Sequence, residues 1–412
     1  MSQLKELLRI KDYRWMWTAQ AGTDFGDALT MLSLMILIQN LTGSTVALAG
    51  LLISLTLPTL IFSLVSGVYV DRLDRRKMMI ISDSLRAVLV LGFLFVRSAD
   101  MIPVIYVIAF VQAAIGTLFN PARAAMLPRI VGEKRLLAAN SISQTTRTLF
   151  GVAGTATAGI LAGVFDTQAP AFIVNSALFL VSALLISRIR TSGLPEEEVD
   201  ARTAWEDMKS GFGAIASTRP LRGVLIAAAV TMLGLGAVNV LLVPLVLGEL
   251  AISEVYFGVI EAGQVAGVVA AGSLVTVLAS RLQPASLVSV GLLGLGAAVG
   301  LLYFPTQVWQ MTLILFLVGV FIVPTNAGIA TLSQTLIPDA MRGRVGGALS
   351  ASISVATILS MGLAGVAAAA FGIRNVFLIA GALAALAGIL ARLMITTPSP
   401  LPPVGQNALA TE

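Results

Sequence analysis

The sequence predicts an all-α membrane protein with twelve transmembrane helices arranged as two six-helix pseudo-repeats, and three observations carry that expectation. Of 412 residues, 57% are hydrophobic and 11% charged, and the mean hydropathy is +0.93; a soluble domain has no interior able to hide so much apolar surface. The apolar residues fall into twelve stretches long enough for the roughly 20 residues that cross a bilayer core. The cationic residues crowd into alternate connections.

In chain order the first six stretches are 15–39, 46–70, 78–96, 102–126, 136–165 and 169–189, and the second six are 221–248, 255–278, 285–304, 308–332, 345–371 and 375–395. Proline, glycine or charged residues break each from the next. The N-terminus and the connections on its side carry Lys5, Arg9, Lys11, Arg14, Arg72, Arg75, Arg76, Lys77, Arg123, Arg129, Lys134 and Arg135, whereas the other side carries only Arg97 and Arg374. The asymmetry predicts an even number of spans with both termini cytoplasmic. No basic segment with a short apolar core and a small-residue cleavage site opens the chain, so the first helix is expected to stay in the mature protein.

Residues 1–189 form one expected bundle and 221–396 the other, with 190–220 as a cytoplasmic linker and 397–412 as a flexible tail. The linker is set apart by Pro195-Glu196-Glu197-Glu198, and its later part, 203–216, reads either as a plain connector or as an amphipathic helix with Trp205, Met208 and Phe212 on one side, suited to a membrane surface. Ile130 and Arg135 recur as Ile337 and Arg342 at an offset of 207 residues, near half the chain. Parallel six-helix repeats of this kind build a central site at the bilayer midplane.

Composition removes several function classes. With no cysteine and no histidine, disulfides, thiolate or zinc centres and imidazole relays are absent, so any proton carrier must be a carboxylate. No metal and no cofactor are expected. The net charge of +5 is topological rather than a nucleic-acid footprint, because it gathers on no soluble face. G-x-S-x-G is missing, as is any sizeable soluble domain, which argues against an enzyme.

After the second stretch the chain reads Gly67-Val68-Tyr69-Val70-Asp71-Arg72-Leu73-Asp74-Arg75-Arg76-Lys77. This resembles the signature loop G-x-x-x-D-R-x-G-R-R of the major facilitator superfamily. A glycine for close helix approach, an acid at a helix end and a set of arginines suit a cytoplasmic gate, so Gly67, Asp71, Arg72, Arg75 and Arg76 are gate candidates; topogenic anchoring would need only the cations. Asp74 replaces the usual glycine, and D-R-x-D-R-R resembles the branch containing macrolide efflux proteins and the enterobactin exporter. Asp24-Phe25-Gly26-Asp27, Leu41-Thr42-Gly43-Ser44, Phe119-Asn120-Pro121-Ala122-Arg123 and Ala138-Ala139-Asn140-Ser141 are similar to the same branch. The fifth stretch offers only Gly154-Thr155-Ala156-Thr157-Ala158-Gly159 against the superfamily's antiporter motif, without its proline. Gly151, Gly154, Gly159 and Gly163 still suit close helix packing.

Charges inside the membrane cost about 2.5 to 3.5 kcal/mol each on insertion scales, so each asks for a reason. Asp24 and Asp27 lie three apart on the first stretch and share a face, where a carboxylate pair could load and release protons; Asp27 leads as proton carrier, Asp24 follows, and Glu261 in the eighth stretch is a further candidate. Asp83 and Arg86, also three apart, suit a mutual structural pair. Arg147 needs a partner on another helix, with Asp27, Asp24 and Glu261 open to it, or else holds an anionic substrate. Asn120, Arg123, Arg147, Asn239, Gln264 and Asn326 are the cavity candidates, although amides also serve as helix-to-helix contacts.

The resemblance implies a secondary transporter that exports amphipathic small molecules, drug or siderophore-like, in exchange for protons. The expected setting is the cytoplasmic membrane, with the cargo, protons and lipid as partners and a monomer as the working unit. Lysophospholipid transport and a non-transporting sensor or scaffold are the alternatives, because fold kinship does not fix cargo.

Overall fold

A computed structural model describes residues 2–165, 167–194, 202–279, 282–337 and 341–394, with side chains for all of these except 2–3, 63–72, 202–208, 219–220, 273–274, 276–279, 334, 342–343 and 394. Among the described residues, twelve helices are long and apolar enough to cross a membrane. The chain is a multi-pass membrane protein. A short α1 (Ser2–Leu8) precedes the first-half spans α2 (Lys11–Thr42), α3 (Thr45–Arg72), α4 (Arg75–Leu91), α5 (Ile102–Val131), α6 (Glu133–Phe165) and α7 (Ala169–Ser187). After α8 (Arg202–Ser217) come α9 (Arg219–Val243), α10 (Phe257–Ala279), α11 (Pro284–Leu301), α12 (Val308–Leu336), α13 (Arg342–Phe371) and α14 (Ile373–Met394).

Every expected stretch becomes a helix, and most run past the apolar segment. α2 starts at Lys11 and α5 ends at Val131, because backbone hydrogen bonding continues into water where lipid no longer sets the limit. Termination is local chemistry. Gly43 takes φ +60° and its N–H donates to the Gln39 carbonyl at 2.8 Å, closing α2 with a left-handed residue that a side chain would strain. Pro244 has no N–H for the preceding turn, and the chain passes from α9 into a wide π turn at Pro244–Glu249.

α2 packs on α6 and α7, α3 on α5, and α4 on α5 and α7. The second half repeats the scheme helix for helix: α9 on α13 and α14, α10 on α12, and α11 on α12 and α14. The halves meet where α3 touches α13 and α6 touches α10, two contacts that exchanging the halves would interchange. Lipid supplies no hydrophobic drive between helices, so close backbone approach does the work. Gly154 abuts the Phe25 carbonyl of α2, while Gly159 and Gly163 meet Glu254 and Val255 of the second half. Gly151 has nothing within 4 Å, so the glycine face expected on the fifth span is three residues, not four.

The two ends of the molecule differ. Near the α2–α3 turn, Thr45 donates to the Gly365 carbonyl at 2.8 Å, Gly248 lies beside Gln39, and Gly258 lies against Ala156. One apolar core joins both halves there, running from Leu48, Leu51 and Ile105 to Leu241, Ile260 and Met361. At the end carrying the N-terminus and the linker the core splits. One cluster, including Tyr13, Met79, Met126 and Ile186, belongs wholly to the first half, and another, including Ile215, Leu221, Val345 and Ala348, to the segment from α8 onward. Among the described residues, therefore, the halves share a core at one end and not at the other.

Residues 188–194 are bound to the first half. Asp12 accepts from the Arg190 and Thr191 amides at 3.1 and 2.8 Å and from the Thr191 hydroxyl at 2.6 Å, and the Arg75 amide donates to the Gly193 carbonyl at 2.9 Å. α8 forms where the amphipathic reading put it, but its covered face is Gly211, against the Arg344 carbonyl, and Ile215, buried beside Val345 and Ala348. Phe212 is exposed. The side chains of Trp205 and Met208, and the tail 397–412, lie outside the described residues.

Candidate functional site

The proton-carrier candidates and most of the cavity candidates fall into two cavities rather than one, whereas Arg123 and Asn326 line neither. The first, of about 460 Å³, lies within the first half and is lined by Gln20, Asp24, Asp27, Thr59, Arg86, Asn120 and Arg147, among others. The second, of about 320 Å³, lies between the halves, with Thr155, Asn239, Glu261 and Gln264 among its walls. α2, α3 and α6 line both: Asp27 and Ala28 are neighbours in sequence that face different cavities, and Arg147 and Thr155 are about 12 Å apart along α6 at 1.5 Å per residue.

Five helices, α2 to α6, converge on the first cavity. A single terminal nitrogen of Arg86 (α4) donates to both carboxylate oxygens of Asp27 (α2), at 2.7 and 2.8 Å. Arg86 is only 3.9 Å from Asp83 as well, and its guanidinium lies over the Phe179 ring with its centre 4.2 Å from the centroid. The Asp83–Arg86 pair expected from spacing is thus the looser contact, and Asp27 takes the short one. Asp83 instead accepts from the Ser182 hydroxyl at 2.5 Å and is fully buried. Spacing along one helix could not show this, because the helix-to-helix crossing brings in a partner from α2.

Arg147 finds its acid in Asp24, at 3.7 Å, and donates to the Asn120 side chain at 3.4 Å. Gln20 extends the network: its amide donates to Asp24 at 3.2 Å, and its carbonyl accepts from Arg123 at 2.7 Å. Asp24 is mostly covered, with 16% of its side chain exposed, whereas Asp27 is 46% exposed. Each carboxylate has an arginine, and Asp27 is open to the cavity. Gly26, between them in sequence, lets α2 press against Asn175 of α7, whose amide donates to Thr30 at 2.6 Å. Arg86 and Gln20 are the site residues sequence reasoning left out. Gln20 had a readable signal, one helical turn before Asp24 on the same face.

In the central cavity, Glu261 on α10 faces Thr155 of α6 across the seam between the halves, with Asn239 of α9 and Gln264 nearby. Apart from Thr56, the other walls are aliphatic, aromatic or thioether, including Met31, Met35, Phe257 and Met361. Asn326 is exposed on α12 and lines neither cavity.

At the open end, the side chains of Gly67, Asp71 and Arg72 lie outside the described residues. Arg76 donates to the Ile186 carbonyl at 3.3 Å and to that of Ser187, adding side-chain donors at the C-terminus of α7. Asp74 is the N-cap of α4, accepting from the amides of Arg76 and Lys77 at 3.0 and 3.2 Å. Asp and Gly are both favoured at N-caps, which explains how an acid stands where the superfamily's loop has glycine.

A helical membrane protein of two six-helix halves with cavities inside and between them is a transporter in architecture. Residues 5–410 match the family described as transmembrane secretion effectors. The chain belongs to this family, within the major facilitator superfamily. It is 27% identical over 393 residues to the uncharacterized MFS-type transporter YfiS of Bacillus subtilis, covering 90% of each chain. It is 24% identical over 375 residues to macrolide efflux protein A of Streptococcus pyogenes, covering 89% of this chain and 92% of that one. Among solved structures, a bacterial homologue of the human lysosomal transporter Spinster, inward-facing and unoccupied, superposes with a TM-score of 0.75 at 14% identity, over 93% of this chain and 97% of that one.

Proposed function

We propose that the protein is a proton-coupled exporter of amphipathic small molecules in the cytoplasmic membrane, a monomer that works by alternating access of its halves, 1–189 and 221–396, joined by 190–220. The observation that carries this reading is the Asp27–Arg86 contact on the wall of a cavity at the open end. A proton delivered to Asp27 would cancel its half of the ion pair and free Arg86 for Asp83, changing how α2 is held against α4. Such a charge-dependent contact is the two-state element that coupling requires. Its efflux relatives support the direction of transport.

The cationic side carries the termini and the linker, so the positive-inside rule turns the open end to the cytoplasm, where an exporter must load. When that end closes, Gly67, Asp71, Arg72, Arg75 and Arg76 would form the gate. The test is reconstitution of the purified chain in vesicles holding a pH dye, with lipophilic drugs, siderophores and lysolipids added in turn. Cargo-evoked proton flux is expected, and a silent panel would overturn the proposal in favour of a non-transporting sensor or scaffold.

A second reading, lysophospholipid movement, is favoured by one feature. An apolar groove of about 610 Å³ on α3, α4 and α5, with Phe62, Ile81, Leu85 and Phe110 on its walls, shares Thr117 with the first cavity. Flux evoked by lysolipid alone would select it.

A further inference from the structure

We infer that the cavity inside the first half is a binding site for a zwitterion, a molecule with an ammonium and an oxyanion a few bonds apart, held between Asp27 and Arg147. The inference deepens the exporter reading, on which it rests, by naming the charge class of the cargo's polar head. The charges on the cavity wall are balanced, two carboxylates against two arginines. They are also layered. Asp24 and Arg86 are the covered members, with 16% and 11% of their side chains exposed, whereas Arg147 and Asp27 are open, at 47% and 46%. Each ion pair therefore turns one charge toward the space, a cation from Asp24–Arg147 and an anion from Asp27–Arg86.

Coulomb attraction and desolvation select a ligand that carries both signs. A monovalent ion would add net charge to a balanced wall and be repelled by one of the two open groups, and a neutral molecule would displace water from both without replacing its stabilisation. A zwitterion adds no net charge and meets each open group with its complement. Both open groups can take a further partner. Arg147 stands 3.7 Å from Asp24 and 3.4 Å from the Asn120 side chain, long contacts for a guanidinium whose fork takes a carboxylate or phosphate bidentately. Asp27 accepts from one nitrogen of Arg86, and a carboxylate offers about four lone-pair sites. Spacing sets the scale of the head. Asp24 and Asp27 are one turn apart on α2, about 5–6 Å between Cβ atoms, and Arg147 lies beside Asp24, so a compact head spans from it to Asp27. The cavity, about 460 Å³, falls within the range of ligand pockets, about 300 to 1,000 Å³. Thr117, shared with the apolar groove, gives the rest of an amphipathic cargo a way off the charged wall. The cargo's ammonium and an incoming proton would compete for Asp27, which is what exchange requires.

The test uses one molecular body in four charge states: phenylalanine, its amide, its N-acetyl form and its N-acetyl amide. Equilibrium dialysis against the purified full-length chain in phosphatidylglycerol nanodiscs, with empty nanodiscs subtracted, reads binding without any gradient. The zwitterion is expected to bind saturably and at least tenfold more tightly than each of the other three, a difference of about 1.4 kcal/mol. Arg147→Gln should erase the preference for the amino acid over its amide, and Asp27→Asn the preference over its N-acetyl form. Affinity alone is lost in these variants, so exchange at saturating cargo continues. Glycerophosphoethanolamine, a soluble lipid head with the same two charges, runs beside its own N-acetyl form, and the tighter of the two zwitterions assigns the source, a lipid head or a free amino-acid-like cargo. Failure of both zwitterions to outbind their singly charged forms in the wild-type chain, which needs no variant to fold, would overturn the inference. So would a monodisperse variant that weakened all four forms alike, the mark of a merely structural residue. The two proposals fail separately: cargo-evoked proton flux with no zwitterion preference removes only the zwitterion site, and zwitterion binding without evoked flux removes only the coupling.

Discussion

Arg86 stands between two carboxylates of different helices, 2.7 Å from Asp27 on α2 and 3.9 Å from Asp83 one turn back on α4. Asp83 is completely enclosed, and one of its oxygens has no hydrogen-bond partner among the described residues. Removing Arg86 therefore leaves Asp83 either to carry an uncompensated charge or to take up a proton inside the bundle, and both cost free energy. Arg86→Leu is expected to destabilise the protein by about 3–5 kcal/mol, the usual result of breaking a buried pair from one side. Adding Asp83→Asn should recover a large part of that loss. Thermal unfolding of the single and double variants in detergent measures both, and a double variant no more stable than Arg86→Leu would show that Asp83 is not the stranded charge.

Asp27 differs from Asp83 in being half exposed, so its replacement tests function more than folding. Asp27→Asn keeps the shape and one acceptor but removes the charge that holds Arg86. Proton-driven accumulation of cargo should fall on the order of 5- to 150-fold, the usual span of coupling between two ligands, while gradient-free exchange of labelled cargo continues. Transport assays with and without an imposed pH gradient separate the two. Equal loss in both would mean that Asp27 serves binding rather than coupling.

Asp74→Ala should cost about 1 kcal/mol, because the amides of Arg76 and Lys77 lose their acceptor, whereas Asp74→Gly should cost only a few tenths. The ordering is the point: if glycine proved worse than alanine, the capping explanation for this departure from the superfamily's loop would be wrong. Melting temperatures of the two variants side by side decide it.

The fold was legible because a bilayer imposes one simple rule, about 20 apolar residues per span, and the sequence obeys it from 15–39 to 375–395. The acids of α2 were legible for the same reason, as expensive exceptions to that rule. What the sequence hid was pairing. Nothing in the spacing of Asp83 and Arg86 announces Asp27, and nothing near Arg147 selects Asp24 over Asp27 or Glu261, because those choices depend on how four helices cross. The division into two cavities was hidden for a related reason. A one-residue step from Asp27 to Ala28 turns the helix by about 100°, enough to face another chamber, and hydropathy averaged over a window erases such a step.

The seal between the halves gives the last prediction. A Cβ built at Gly365 on α13 would lie 2.7 Å from that of Ala49 on α3, so the two backbones need move apart by only about 1 Å to reach the 3.5–4.5 Å that a disulfide spans. The chain has no cysteine of its own, and Ala49→Cys with Gly365→Cys therefore introduces a single defined pair. Oxidation should link the halves across the sealed end and hold the other end apart. An exporter that must part at this seam to release cargo would then stop, and a thiol reductant would restore it. Cross-linking read by a mobility shift, beside efflux before and after reduction, makes the test. Complete cross-linking with undiminished efflux would mean that α3 and α13 need not separate, and alternating access between these halves would have to be abandoned.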